Sequence, residues 1–205
     1  MPNLWLLPRP LILASKSGAR RALLAAAGIP FEGVDSQVDE RAIEQPLLAG
    51  GDGGAAVAVA LAREKALRVS EDQRGRLVLG ADQTLSLEGQ LLSKPADRAS
   101  AKQQILSMAG RGHTLHAALC LARDGAVVAQ ACAEAHLTCR AFTDSFVDCY
   151  LDLAGDSVLQ SVGGYAVEGL GIHLFERIED EQSIILGLPM LHLLGLLRDL
   201  GALER

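Results

Sequence analysis

The residues with the clearest chemical potential lie in Leu77–Pro95, LVLGADQTLSLEGQLLSKP, where a lone acid, Asp82, and a lone base, Lys94, bracket an alternating segment. The apolar run Leu77-Val78-Leu79 reads as a buried strand that stops at Gly80-Ala81. It delivers Asp82 at its C-terminal end, the crevice where α/β proteins place chemistry. Thr84 to Leu87 then alternates, and Glu88-Gly89 is an acidic-Gly pair between apolar runs, a strong hairpin signal. The return along Gln90 to Ser93 ends at Lys94-Pro95. The pattern predicts a hairpin that sets a carboxylate and an ammonium near the same end of two paired strands.

Other candidate groups come from the elements that would position them. Leu11–Ala14 is a compact apolar run, read as a buried strand, followed by a polar turn and a helix over ARRALLAAAG. Ser17 is its N-cap, and Gly28 ends it before Pro30. Such a strand–turn–helix points backbone N–H groups and the helix dipole at whatever lies above the strand, commonly a phosphate. Arg20 and Arg21 sit in the first turn, where the dipole disfavours them. Either at least one faces an anion, or both are solvated surface arginines. Phe31–Val38 reads as a second strand, with Asp39-Glu40 a solvated edge beyond it, and Gln45–Gly54 as a Gly-rich loop. Ala55–Val69 is an Ala-rich helix, apolar nearly all round, on which pattern alone makes Lys65 a surface lysine.

Downstream, Ala96–Ala109 reads as an amphipathic helix capped by Asp97, with Ala101, Ile105 and Met108 inward. His113–Arg123 and Ala126–Thr138 form a long hairpin about Asp124-Gly125. His113 and His116, three apart in a strand, point to opposite faces and make a poor metal pair. Thr143–Leu151 is helical in pattern, and the glycines around Glu168 in GGYAVEGLG suggest a backbone bent about a small ligand. Ile172–Ile178 and Ser183–Leu186 read as strands, and Gly187-Leu188-Pro189 opens a terminal helix through Leu200.

Bulk properties narrow the class. With 205 residues, 49% hydrophobic and 21% charged, the chain has an ordinary globular composition, enough for one substantial domain or two lobes sharing a core. Only 3% are aromatic and the net charge is −6, which argues against nucleic-acid partners but not against a small basic phosphate pocket. Four cysteines without CxxC spacing argue against zinc and for a reduced protein. The N-terminal run MPNLWLLPRPLILAS is broken by Pro8 and Pro10 and lacks a basic n-region, so it is not read as a signal peptide. The apolar run Ile184–Leu197 is too short to span a bilayer, and a cytoplasmic location without membrane contact is the expectation. No P-loop pattern occurs.

Taken together, Ser15-x-Ser17-x-x-Arg20, Asp39-Glu40, Lys65, Gly80-Ala81-Asp82, Lys94-Pro95, Gly110-x-x-His113, Gly164-Tyr165-x-x-Glu168-Gly169 and Gly187-Leu188-Pro189, in that order, resemble the Maf family of nucleoside triphosphate pyrophosphatases. The resemblance runs from about Leu11 to Leu200. It implies a Maf/ITPase-like α/β fold: an elongated mixed sheet flanked by helices, two lobes around a cleft, with residues 1–205 as a single domain. It further implies hydrolysis of a nucleotide to monophosphate and pyrophosphate with a divalent cation, Mg²⁺ or Mn²⁺.

Carried onto this sequence, the resemblance makes Asp82, Glu40 and Lys94 catalytic, with Glu40 and Asp82 holding the metal. Ser17, Arg20, Lys65, Gln83 and Glu168 then bind substrate. Such chemistry needs cations for the phosphates and carboxylates for metal and proton. The chain departs from the common family pattern at Gly18-Ala19, Gln83, Ala117 and Glu168. Gln83 and Glu168, with GIHLFERIE after them, resemble the branch acting on 7-methyl-GTP rather than on dTTP and UTP. The alternatives are the same reaction on dTTP or UTP, and a non-catalytic nucleotide-binding regulator of cell division or septum formation. A homodimer is left open.

Overall fold

The computed structural model describes residues 4–205; of the N-terminal run, residues 1–3 lie outside the described residues. In chain order the elements are β1 (Leu11–Ala14), α1 (Gly18–Ala26), β2 (Phe31–Gly33), α2 (Glu40–Ala49), α3 (Gly54–Asp72), β3 (Val78–Leu87) and β4 (Gln90–Leu92). There follow α4 (Arg98–Met108), β5 (Gly112–Arg123), β6 (Ala126–Cys139), α5 (Asp144–Ala154), β7 (Phe175–Glu179), α6 (Gln182–Ile185) and α7 (Met190–Asp199). The fold is mixed α/β, with a seven-stranded sheet in the order β2-β1-β3-β5-β6-β7 and β4 paired to β3. No helix of the described residues is long and apolar enough to cross a membrane.

The chain forms two compact units. One holds the chain up to Gln83 with His116–Ala133 and Glu181–Arg205; the other holds Thr84–Leu115 and Glu134–Asp180. In the first, β1 lies parallel to β2 and β3, pairing Ile12 with Val78 and Ala14 with Gly80. Both faces of β1 and β3 are buried along most of their length, as expected of parallel strands inside a sheet, whereas the short β2 is exposed at Glu32 and Gly33. Leu11, Leu13, Leu77, Leu79, Leu119 and Leu121 join one core, with α7. On the opposite face, Ala118, Cys120 and Ala122 meet Ala58, Ala62 and Ala66 of α3. Small residues on both partners allow a close helix–strand approach, closest at Gly80. A Cβ there would stand 2.2 Å from the Ala62 carbonyl oxygen and 2.6 Å from the Ala66 nitrogen. Glycine at this position is therefore a packing requirement rather than the end of a strand.

In the second unit, β3 and β4 form the Glu88-Gly89 hairpin, whose two turn residues have φ of 51° and 82°, with Leu85 opposite Leu92. Positive φ at both positions matches the twist of the paired strands. Asp97 and Ser100 form a capping box on α4, and Ala101, Ile105 and Met108 are buried beneath it. β6 and β7 pair antiparallel from His136–Glu179 to Cys139–Phe175.

Several expectations change. β2 ends at Gly33 rather than Val38, because Val34 still bonds to Leu13 but Gln37 has a φ of 53°. Asp39 is not a solvated strand edge: it caps α2, accepting from the Ala42 N–H at 3.3 Å. α2 then occupies much of the expected loop Gln45–Gly54 and carries Pro46 within it. β3 continues for ten residues through Gly80, so Asp82 lies inside the strand. Ser183–Leu186 is not a strand: α6 forms there, with Leu186 N–H donating to the Gln182 carbonyl at 3.0 Å. β7 starts at Phe175, after a 3₁₀ segment over Leu170–Leu174.

Candidate active site

The first unit assembles a buried charged cluster around Lys65. α3 brings Lys65 up beside β3 because Gly80 lets the two backbones touch. The Lys65 ammonium lies 2.5 Å from Asp82 Oδ1 and 2.6 Å from Glu40 Oε1, bridging two carboxylates from different elements. Asp82 and Lys65 are each only 8% exposed. The surface placement that the α3 pattern suggests for Lys65 is therefore wrong, since a helix apolar all round gives no face to read. Asp82 points to the cluster from mid-strand, and Glu40 is the first residue of α2.

Arg20 joins from α1. Ser17 caps that helix, accepting from the Arg20 N–H at 3.4 Å, which fixes its first turn. The guanidinium is 9% exposed and donates to the Ala81 and Gly187 carbonyls, each at 2.8 Å, and to Ser15 Oγ at 3.2 Å. Burial lowers the Arg20 pKa, while the charges of Asp82 and Glu40 act to raise it. It is therefore not a solvated surface arginine. The acids beside it answer the positive charge, and they leave the cluster with two cations and two close carboxylates.

Gln83 follows Asp82 and turns to the loop after α6. Its Nε2 donates to the carbonyls of Ile184 at 2.9 Å and Ile185 at 3.0 Å. Two carbonyls can only accept, so the amide orientation is fixed and Oε1 is left as the acceptor. The adjoining Gly187 has a φ of 84°, and a Cβ on it would stand 3.3 Å from both Arg20 Nη2 and Gln83 Oε1. Ser183 ties this turn down, donating to the Glu181 carboxylate and accepting from the Met190 N–H at 3.0 Å. The Gly187-Leu188-Pro189 motif was visible in the sequence; its task of seating Arg20 and Gln83 was not.

One further acid belongs here. Glu44 lies one helical turn after Glu40 on α2, and its pKa is raised by partial burial and by the charges of Asp82 and Glu40. Reading 45–54 as loop hid it, because an i, i+4 pair shares a face only once a helix is assigned.

Lys94 and Glu168 belong to the second unit, and both are exposed there. Lys94 follows the end of β4, and Glu168 lies on the turn before the 3₁₀ segment. Neither makes a hydrogen bond or ion pair to the described residues of that unit. The glycines around Glu168 serve the chain's own packing: a Cβ on Gly163 would stand 2.7 Å from the Tyr165 ring, and one on Gly171 2.4 Å from the Ala166 carbonyl oxygen. The bend expected about a ligand is thus a bend about Tyr165 and Ala166.

Two carboxylates that converge on one point within hydrogen-bond reach can share a single cation there. Among the described residues no group of three or more His, Cys, Asp or Glu gathers to hold a metal. A hard divalent ion bound by one or two carboxylates, completed by water and phosphate oxygens, fits such a donor set better than zinc. The four cysteines are free thiols.

Comparison with known proteins gives the family. A family model described as Maf-like protein matches residues 10–200. A "Nucleoside triphosphate pyrophosphatase" of Rhodopseudomonas palustris (strain HaA2) is 51% identical over 198 residues, covering 96% of each chain. A "7-methyl-GTP pyrophosphatase" of Rhizobium meliloti (strain 1021) is 48% identical over 194 residues, covering 95% of this chain and 98% of that one. Among solved structures, a HAM1 protein from Coxiella burnetii superposes with a TM-score of 0.43 at 17% identity, over 63% of this chain and 72% of that one.

Proposed function

The chain belongs to the Maf-like family and, like the curated relatives it matches over nearly their whole length, is a nucleoside triphosphate pyrophosphatase; from that premise we propose that its preferred substrate is 7-methyl-GTP. The observation that carries the reaction is the Lys65 ammonium held between Asp82 and Glu40 beside Arg20.

In the proposed reaction, water attacks the α-phosphorus, a new P–O bond forms, and the bond to the β-phosphate's bridging oxygen breaks. Asp82 takes the proton from the attacking water. Arg20 and Lys65 offset the charge that builds on the departing pyrophosphate. Ser17 keeps α1 turned with its N–H groups toward the phosphates. A divalent cation, Mg²⁺ or Mn²⁺, held by Glu40 and Asp82, would supply Lewis-acid polarisation of the phosphoryl oxygens. Both Lys65 and such an ion would neutralise these two carboxylates.

The proposed substrate choice rests on Gln83 and Glu168, through which the chain resembles the 7-methyl-GTP branch, and on one relative bearing that name. Both groups offer acceptors: Gln83 through its clamped amide, Glu168 through a carboxylate with no partner among the described residues of its unit. Guanine presents two adjacent donors, N1–H and the exocyclic amine; uracil and thymine present one N–H between carbonyls. Glu168 is exposed, so solvent screens its attraction for the cationic methylated base, and the selectivity is carried by hydrogen bonding.

The test is pyrophosphate release from a nucleotide panel with Mg²⁺ or Mn²⁺. The highest kcat/KM is expected for 7-methyl-GTP, and Glu168→Gln should shrink its lead over UTP by roughly tenfold to a hundredfold, the worth of a charge-assisted bond. Faster hydrolysis of UTP or dTTP at subsaturating substrate would overturn the substrate choice. Release of diphosphate and inorganic phosphate would overturn the site of cleavage.

A further inference from the structure

In the second unit, a buried polar pair lies at the root of the turn that carries Glu168. His113 and Tyr165 are 4% and 6% exposed, and His113 Nε2 shares a hydrogen bond of 2.7 Å with the Tyr165 hydroxyl. Their rings and that of Phe175 pack together, Tyr165 meeting Phe175 edge-on at 4.9 Å. The backbone on either side of Tyr165 is fixed as well. Tyr150 donates to the Gly164 carbonyl at 3.1 Å, and Ser161 Oγ to the Tyr165 carbonyl at 2.6 Å. Beyond Tyr165 the chain comes to the surface: Ala166, Glu168, Gly169 and Leu170 are exposed. At the far root Arg140 holds the carbonyls of Leu174 at 2.9 Å and His173 at 2.7 Å.

Packing alone does not account for His113. Its Nδ1 is buried without a partner among the described residues, and burial lowers its pKa to about 4, so the ring is neutral at working pH. An unsatisfied buried polar atom costs stability that an apolar side chain of similar size would avoid. What the imidazole adds is the bond to Tyr165, and Tyr165 stands three residues before Glu168.

We propose that His113 and Tyr165 are positioning residues that hold the Glu168 turn ready for the base of the substrate, so that base selectivity depends on the His113–Tyr165 bond. This rests on the reading of Glu168 given above. A turn fixed at both roots loses little freedom on binding, and that saving appears as affinity for the base it fits. The effect therefore belongs to KM for 7-methyl-GTP rather than to the chemical step.

The experiment measures kcat and KM for 7-methyl-GTP and UTP in wild type, Tyr165→Phe, Ser161→Ala, Glu168→Gln and the double variant Tyr165→Phe/Glu168→Gln. Phe keeps the ring and its packing while removing the hydroxyl. Ser161→Ala, at a half-buried position, loosens the same root by another route. Tyr165→Phe is expected to lower the 7-methyl-GTP to UTP ratio of kcat/KM by about threefold to tenfold, the worth of one neutral hydrogen bond. The loss should fall on KM for 7-methyl-GTP, with kcat on both substrates kept, and the double variant should match Glu168→Gln alone. Equal losses on both substrates would mean a merely structural role and overturn the proposal. So would an unchanged ratio in both root variants while Glu168→Gln shrinks it, which leaves the Glu168 reading intact. An unchanged ratio in Glu168→Gln itself removes that reading and this inference together.

Discussion

Replacing Lys65 by Met tests the buried cluster directly. Met keeps an unbranched apolar stem one atom shorter and removes the ammonium that lies 2.5 Å from Asp82 and 2.6 Å from Glu40. Glu40 has a side chain 50% exposed and can turn to water, so its lost partner costs little. Asp82 cannot, since its side chain is 11% exposed. Stranding one partner of a buried pair typically costs ~3–5 kcal/mol. Arg20 still acts on Asp82, which places the expectation at the lower end, about 3 kcal/mol. For a chain of this size that corresponds to roughly 6–12 °C in Tm. Adding Asp82→Asn to Lys65→Met removes the stranded charge, so the double variant should be more stable than the single. Urea unfolding of wild type, both single variants and the double gives the coupling as a double-mutant cycle. A cost for Lys65→Met below about 1 kcal/mol, the range of exposed ion pairs, would refute a buried bridge. So would strict additivity with Asp82→Asn.

Other perturbations follow from the same geometry. Asp82→Asn should lower turnover by ~10²–10⁴ if Asp82 takes the proton, and a folded variant keeping more than about a tenth of wild-type rate removes that role. EDTA should abolish turnover and Mg²⁺ or Mn²⁺ restore it, with the far-ultraviolet circular dichroism unchanged throughout; full activity in EDTA would remove the metal from the proposal. The His113 pKa, lowered by burial to about 4 from about 6.5, makes the unfolded chain take up the proton first as pH falls. That share of stability is present above pH ~6.5 and lost towards pH ~4, amounting to about 3 kcal/mol, and His113→Gln should flatten this limb of the stability profile.

How far the sequence could be read depended on whether a signal was local. Leu11–Ala14, Ser17 and Gly28 act within a few residues of themselves, and the strand, cap and helix stop they predict are all present. The same holds for Glu88-Gly89 and Asp124-Gly125, whose positive φ values are set by the turn itself. Four residues of α6 carry too few positions to show a period, so they read as a strand. Pro46 and the glycines after α2 outweighed the cap at Asp39, and with that helix went Glu44. The candidate site residues were legible through their order along the chain rather than through any local pattern. Lys65, Asp82, Glu40 and Arg20 come from four separate elements, and their attraction exists only after folding.

Gly80 shows why this must be so. Read locally, a glycine at the end of three apolar residues terminates a strand. In the fold its missing side chain is the point where β3 meets the backbone of α3 at Ala62 and Ala66. Lys65 lies between those two residues on the helix, and Asp82 lies two residues beyond Gly80 on the strand, on the same side of its pleat. The contact at Gly80 therefore sets the separation from which the two side chains reach each other. A Cβ there would have to push α3 outward or remain in overlap with backbone. Either outcome disturbs the helix–strand spacing across which the 2.5 Å ion pair is made. A residue with no charge and no side chain thus sets the spacing on which the charged cluster rests.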